Sequence, residues 1–347
     1  MTEKRQSTIL LLGVFTDPKD PKKNIRTATC RIAEMFSKNH LSVITSSIHS
    51  GRIARLWDNL WVILTHQKEI KIVIIPLYGT RPAFIWQEIV SRVVKFFHKK
   101  LILTIDGGSI PDKMEKNPRH FLKAMKRADT LICPSAFFYH YLDKYPVKKI
   151  QIENAINLTG YLFMHKKTFR PKILWMRAFE KTYNPLMAVK VAKILYSQFP
   201  DFEMVMAGPD HGMLAETKKR VHEEGLSQNV FFPGYINLEE KLHYAAQYDF
   251  YICTNEIDNA PVSVIEFMAL GLVIIATNVG GLPDLIADEQ NGFLIPPNNA
   301  EEMASKIVTV IQNPLKGIAM TEKAYAFTKN FGEDVVMEKW KKLFEKL

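Results

Sequence analysis

Short, continuous apolar runs alternate along this chain with longer segments in which apolar residues recur at helical spacing. Runs over 9–15, 41–45, 70–76, 101–105, 130–135 and 150–157 read as strands buried on both faces. Helical patterns over 27–39, 52–68 and 84–100 separate the early ones. A polar and aromatic stretch, 158–171, interrupts the alternation, and a second series follows. Its strands are expected at 172–177, 202–208, 230–232, 250–253 and 273–277. Its helices are expected from residue 186 and at 214–224, 238–248, 262–270, 301–312 and 318–327. A last amphipathic segment, 334–347, carries Val336, Trp340, Leu343 and Phe344 roughly on one face. Alternating strand and helix patterns of this kind specify an α/β chain with parallel sheets.

The stretch 258–284 is the most informative. Polar Asp258-Asn259-Ala260-Pro261 follows the apolar run 250–253 and precedes a compact helix closed by Gly271, a residue that tolerates positive φ. The β-branched run 273–277 comes next, completing one strand–helix–strand step. The polar turn therefore sits at the carboxyl end of its strand, the edge at which open α/β sheets bind ligands. Val262, Ile265 and Ala269 can face the sheet, which leaves Glu266 near the turn that holds Asp258. Two carboxylates are expected beside a helix N-terminus whose first N–H groups lack intrahelical partners.

With 347 residues, 47% of them apolar and 24% charged, the chain can bury two cores. Cys30, Cys133 and Cys253 fall in apolar segments without Cys-x-x-Cys spacing, as expected of reduced thiols in a cytoplasm. The N-terminal apolar run is short and reads as a first strand rather than a signal peptide, and no run approaches the ~20 residues of a spanning helix. The net charge of +10 is unevenly placed. Residues 1–167 hold 28 Lys plus Arg against 13 Asp plus Glu, whereas residues 168–347 hold 18 against 23. A basic first half implies an anionic partner. Helices 52–68 and 84–100 mix large apolar groups with bases, so an anionic membrane surface is one candidate, beside a fully buried apolar stripe. No nucleic-acid module signature is present, and nucleic acid is not expected.

Asp258, seven residues, Glu266, then Met268-Ala269-Leu270-Gly271 and Val279-Gly280-Gly281 together resemble the donor-sugar motif of retaining glycosyltransferases of the GT-B fold, most closely glycosyltransferase family 4. The first acid of that motif is usually Glu; here it is Asp, one methylene shorter. The loop Arg177-Ala178-Phe179-Glu180-Lys181 resembles the family's diphosphate-binding pair. Gly234-Tyr235-Ile236 matches the position that lines the nucleoside base, and Asn291 to Pro297 a turn and strand typical of the family. The likeness is strong from residue 172 to 297 and thin before residue 100.

The resemblance implies two Rossmann-like domains with parallel sheets facing a cleft. These are 1–165 for the acceptor and 166–332 for the nucleotide sugar, with 333–347 returning to the first domain. It implies a UDP- or GDP-type sugar donor, a glycan or lipid-linked acceptor, no cofactor and no metal. Arg177, Lys181, Asp258, Glu266 and Asp106 are the expected catalytic groups. Gly208, Gly234, Tyr235, Ile236, Asn259, Ala260, Pro261, Val262 and Ser263 complete the donor site. Asp106 stands where the family commonly has His, and as a carboxylate it accepts hydrogen bonds from sugar hydroxyls but cannot take a neutral imidazole's donor role. Gly107, with Lys22, Lys23 and Asn24 in the first loop, are weaker acceptor candidates. The implied setting is cytoplasmic, at the inner face of a membrane. A nicotinamide dehydrogenase needs a Gly-x-Gly-x-x-Gly after its first strand, which is absent. A sugar-nucleotide epimerase or a glycogen-type phosphorylase could share the fold. A non-catalytic GT-B-like module that binds nucleotide or glycan is the alternative from another class.

Overall fold

The computed structural model describes residues 8–13, 15, 27–49, 51–77, 81–105 and 110–347. They form two compact units, one comprising 1–155 with 333–347 and the other 156–332. In the first, β1 (Thr8–Leu12), α1 (Ala28–Lys38), β2 (Val43–Ser46), α2 (Arg52–Thr65), β3 (Ile70–Leu77) and α3 (Arg81–Phe96) alternate. β4 (Lys100–Ile105), α4 (Ile110–Lys116), α5 (Pro118–Arg127), β5 (Thr130–Cys133), α6 (Ala136–Tyr141) and β6 (Lys149–Gln151) follow. The strands pair in parallel in the order β2-β1-β3-β4-β5-β6.

The second unit contains β7 (Lys172–Met176), α7 (Pro185–Tyr196), β8 (Glu203–Ala207), α8 (Leu214–Glu223), β9 (Val230–Gly234) and α9 (Leu238–Gln247). It continues through β10 (Phe250–Cys253), α10 (Val262–Ala269), β11 (Val273–Thr277), α11 (Leu282–Leu285), β12 (Phe293–Ile295), α12 (Ala300–Gln312) and α13 (Pro314–Thr328). Its parallel order is β12-β11-β10-β7-β8-β9.

Each sheet is covered on both faces, which is why its strands are continuous apolar runs rather than alternating ones. In the first unit, Val90, Val94, Met114, Phe121 and Phe138 cover one face. The other face is closed by α1 and by the final helix, α14 (Glu333–Glu345). Trp340 of α14 is 1% exposed and meets Phe36 of α1 edge-to-face, with ring centroids 5.2 Å apart.

The segment 158–171, read from composition as the joint between domains, belongs to the second unit. Met164 N–H donates to the Leu270 carbonyl at 3.2 Å. Lys166 and Arg170 both reach Asp249, at 2.8 and 3.0 Å, and so compensate a buried carboxylate. The division therefore falls earlier, between Ala155 and Ile156. Two further differences have local causes. Helices α4 and α5 are not among the elements expected from periodicity: α4 spans only seven residues, and α5, although Phe121, Ala124 and Met125 recur at helical spacing, spans only ten. Helix α13 starts at Pro314 rather than 318, since Asn313 caps it and a proline at the first helical position costs no hydrogen bond.

Candidate active site

In the second unit the chain proceeds from β7 to β8 and β9 on one side of the sheet, then returns to place β10 on the other side of β7. The carboxyl ends of β7 and β10 therefore flank a topological switch point, where the two following loops diverge and leave a crevice. Arg177 enters it from the first loop and Asp258 from the second. Tyr183 and Thr254 tie these loops together: Trp175 Nε1 donates to Thr254 Oγ1 at 2.8 Å, and that hydroxyl donates to the Tyr183 carbonyl at 2.7 Å. Glu256 N–H adds a bond to the Thr182 carbonyl at 2.8 Å.

Arg177 and Asp258 form an ion pair with side chains 14% and 13% exposed. Arg177 Nη1 also donates to Ser263 Oγ at 3.4 Å, and the guanidinium lies 4.1 Å over the Tyr183 ring. Asp258 accepts two more bonds, from Asn255 Nδ2 at 2.6 Å and from Asn259 N–H at 2.8 Å. Burial is the largest effect and opposes the Arg177 charge, but Asp258 together with Cys253, Tyr183 and Tyr251 outweighs it and holds the pKa above the ordinary arginine value. Arg177 Nε is buried without a partner among the described residues. Beneath the pair, burial pushes the Cys253 thiol up to about 12, against the pull of Arg177.

Backbone geometry explains the glycines. Gly280 sits at φ +54°, and a Cβ there would overlap the Asp258 carbonyl oxygen, which accepts from Gly281 N–H at 3.0 Å. Gly208, at φ +149°, approaches the Arg177 carbonyl just as closely. The Val-Gly-Gly step and Gly208 thus press one loop onto each half of the ion pair. Asn259, Ala260 and Pro261 are buried, whereas Val262 and Ser263 are partly exposed at the start of α10, whose Pro261 cap supplies no side-chain acceptor. Lys181 stands exposed at the start of a 3₁₀ turn, Lys181–Tyr183, and has no acidic partner among the described residues. Beyond Gly234, at φ +85°, Tyr235 is 61% exposed while Ile236 is buried.

Glu266 is held separately. One carboxylate oxygen accepts from Tyr161 at 2.7 Å and the other from Lys241 Nζ at 2.6 Å. The Lys241 and Glu266 side chains are only 16% and 15% exposed. The two acids of the motif thus each carry their own cation, Arg177 for Asp258 and Lys241 for Glu266. Neither Lys241 nor Tyr161 carries a sequence signal. The one available clue was that α10 is apolar on nearly every side, which leaves its single carboxylate in need of a base. Asp106, Gly107, Lys22, Lys23 and Asn24 lie outside the described residues. Among the described residues, no three His, Cys, Asp or Glu side chains are grouped to hold a metal ion.

Residues 164–329, nearly all of the second unit, match the family model described as Glycosyl transferases group 1. The chain is thus similar to this family over somewhat under half of its length. It is 29% identical over 155 residues to an uncharacterized glycosyltransferase of Haemophilus influenzae, covering 44% of this chain and 43% of that one. It is 27% identical over 128 residues to a poly(ribitol-phosphate) alpha-N-acetylglucosaminyltransferase of Staphylococcus aureus, covering 36% of this chain and 26% of that one. It thus spans less than half the length of these two relatives. The crystal structure of Anabaena Alr3699/HepE in complex with UDP and glucose superposes over 98% of this chain and all of that one, with a TM-score of 0.76 at 16% identity. That likeness concerns the fold: two parallel six-stranded sheets with flanking helices, the arrangement of GT-B glycosyltransferases.

Proposed function

We propose that this protein transfers a sugar from a nucleotide-sugar donor to a glycan or lipid-linked acceptor, with retention of anomeric configuration, in the synthesis of a cell-surface polysaccharide or glycolipid. The observation that carries this reading is the Arg177–Asp258 pair at the switch point of the segment similar to the glycosyl transferases group 1 family. A neighbour of the same fold binds UDP and glucose, and a relative in sequence transfers N-acetylglucosamine to poly(ribitol-phosphate).

In this scheme Arg177 and Lys181 face the donor diphosphate. Asp258 largely balances the Arg177 charge, so Lys181 supplies the uncompensated positive charge and Arg177 the fixed planar donor. Glu266 accepts the two ribose hydroxyls, taking them in place of part of its present pairing with Tyr161 and Lys241. Gly234, Tyr235 and Ile236 line the base; Asp258 and the amides of Ala260, Val262 and Ser263 hold the sugar and a phosphate oxygen. Pro261 has no N–H to give.

The bond from the anomeric carbon to the diphosphate breaks as the acceptor hydroxyl approaches the same face. The acceptor proton passes to the leaving phosphate oxygen, so no protein nucleophile is needed. Negative charge builds on the diphosphate as the bond breaks. Cations already fixed in place stabilise it at no reorganisation cost, and the scheme draws that charge from Arg177 and Lys181 rather than from a metal ion.

Melting temperature across a panel of nucleotide sugars and nucleotides gives the first test, because a ligand that binds the native state raises it by mass action. One nucleotide class is expected to shift it, and Arg177→Ala to abolish the shift. Glu266→Ala, shown folded by circular dichroism, is expected to lose turnover. Transfer at the wild-type rate in that variant would falsify the site assignment.

A further inference from the structure

We infer that the outer face of α2 and α3 docks on an anionic lipid bilayer. Helix α2 buries only Asn59 and Ile63 among its described side chains. On its outward side Ile53, Trp57, Trp61 and Leu64 recur at helical spacing and are 76%, 69%, 67% and 47% exposed. The adjacent helix α3 sends Val90 and Val94 into the core and leaves Ile85, Ile89 and Phe96 exposed. Both helices belong to the same layer over the first sheet, so the two stripes form one apolar surface. Folding that leaves two tryptophans and a phenylalanine largely in water marks a surface meant to be covered.

The chemistry of the surroundings selects the occupant. Residues 52–127, which supply α2 to α5, hold 15 Lys plus Arg against six Asp plus Glu. Arg119, Lys123 and Lys126 are exposed along α5 beside α3, and Lys100 is exposed just past the end of α3. Phe84, Ile85 and Ile89 line a groove with Arg119, His120 and Lys123 on its rim. Its one acid, Glu88, is shared among Arg127 at 2.7 Å, Arg92 at 2.8 Å and Lys123 at 3.8 Å, so the bases outnumber it three to one. Tryptophan and aliphatic groups ringed by bases suit the interface of an anionic leaflet, where rings sit at headgroup depth and bases meet phosphates. A second copy would bring the same basic rim against itself, which like-charge repulsion disfavours. No helix among the described residues is long and apolar enough to cross a membrane, so the contact is at the surface.

Sedimentation of the full chain with vesicles tests this, using phosphatidylcholine alone and phosphatidylcholine mixed with phosphatidylglycerol. Binding is expected to the mixed vesicles, to weaken with salt, and to vanish in Trp57→Ser/Trp61→Ser. Arg119→Ala/Lys123→Ala should weaken it about thirtyfold, as loss of two surface bases implies. Tryptophan fluorescence should shift to the blue on the mixed vesicles, carried mainly by Trp57 and Trp61, since Trp175 and Trp340 are fully buried and Trp86 is partly buried. An unchanged melting temperature in both variants, and an unchanged nucleotide-induced shift, would show that the fold and the donor site are intact. Failure of the wild type to bind mixed vesicles, or equal binding by the double tryptophan variant, overturns the inference. So does vesicle-free dimerisation that the same variant abolishes, since a second copy would then be the occupant.

Discussion

Both units are parallel six-stranded sheets flanked by helices, with different strand orders, and they treat their surfaces in opposite ways. In the second, the loops at the sheet's carboxyl edge are drawn inward: Arg177, Asp258 and Glu266 are mostly buried, each engaged by partners from another element. In the first, α2 and α3 bury Asn59 and Gln87 while Trp57, Trp61 and Phe96 on the same two helices stand in water. In the proposed function, one half holds a small charged ligand in a fixed frame and the other meets something large. The difference also explains why the family likeness concentrates in the second unit. A nucleotide diphosphate demands the same few groups wherever it binds, whereas acceptor and docking surfaces vary with their targets.

The sharpest way to break this comparison is to remove the closing residue of the first unit. Trp340→Ala should cost about 3–5 kcal/mol, because it empties a fully enclosed site against Phe36. Hydrogen exchange should show β1 and β3 losing protection while β7 and β10 keep theirs. Equal loss in both sheets would mean that the halves unfold as one. Next in size, Asp258→Ala should destabilise by about 3 kcal/mol, since it strands the buried Arg177 charge. The double variant Arg177→Ala/Asp258→Ala should recover part of that loss in urea titration, and simple additivity would refute a coupled pair.

Lys241→Met is expected to cost about 1–2 kcal/mol, the effect of taking the cation from a largely buried carboxylate. Nucleotide affinity should fall with it, as Glu266 loses its orientation. Smallest in stability is Lys181→Ala, which should stay within about 0.5 kcal/mol of wild type because the side chain is exposed. It should nevertheless weaken nucleoside diphosphate binding about tenfold by calorimetry. An unaltered affinity would remove Lys181 from the donor site and leave Arg177 as its charge.

Much of this architecture was legible in the residues, because strand and helix periods are local and both cores are continuous. The spacing from Asp258 to Glu266, the glycine pair 280–281 and the Arg177–Lys181 loop pointed to the carboxyl edge of the second sheet, where Arg177 pairs with Asp258. Other features depended on partners distant in sequence. The strand order that sets β10 beside β7 decides that Arg177 meets Asp258, residues 81 positions apart. Lys241 on α9 and Tyr161, 105 positions from Glu266, converge on that carboxylate through packing that no local pattern encodes. Likewise, α2 is apolar around most of its circumference, so its composition could not say which side enters the core. Only the placement of Asn59 and Ile63 against the sheet turned Trp57 and Trp61 outward. Periodicity fixes what each segment is; the neighbours it meets follow from burying all the segments at once, and the chemistry of both units rests on those meetings.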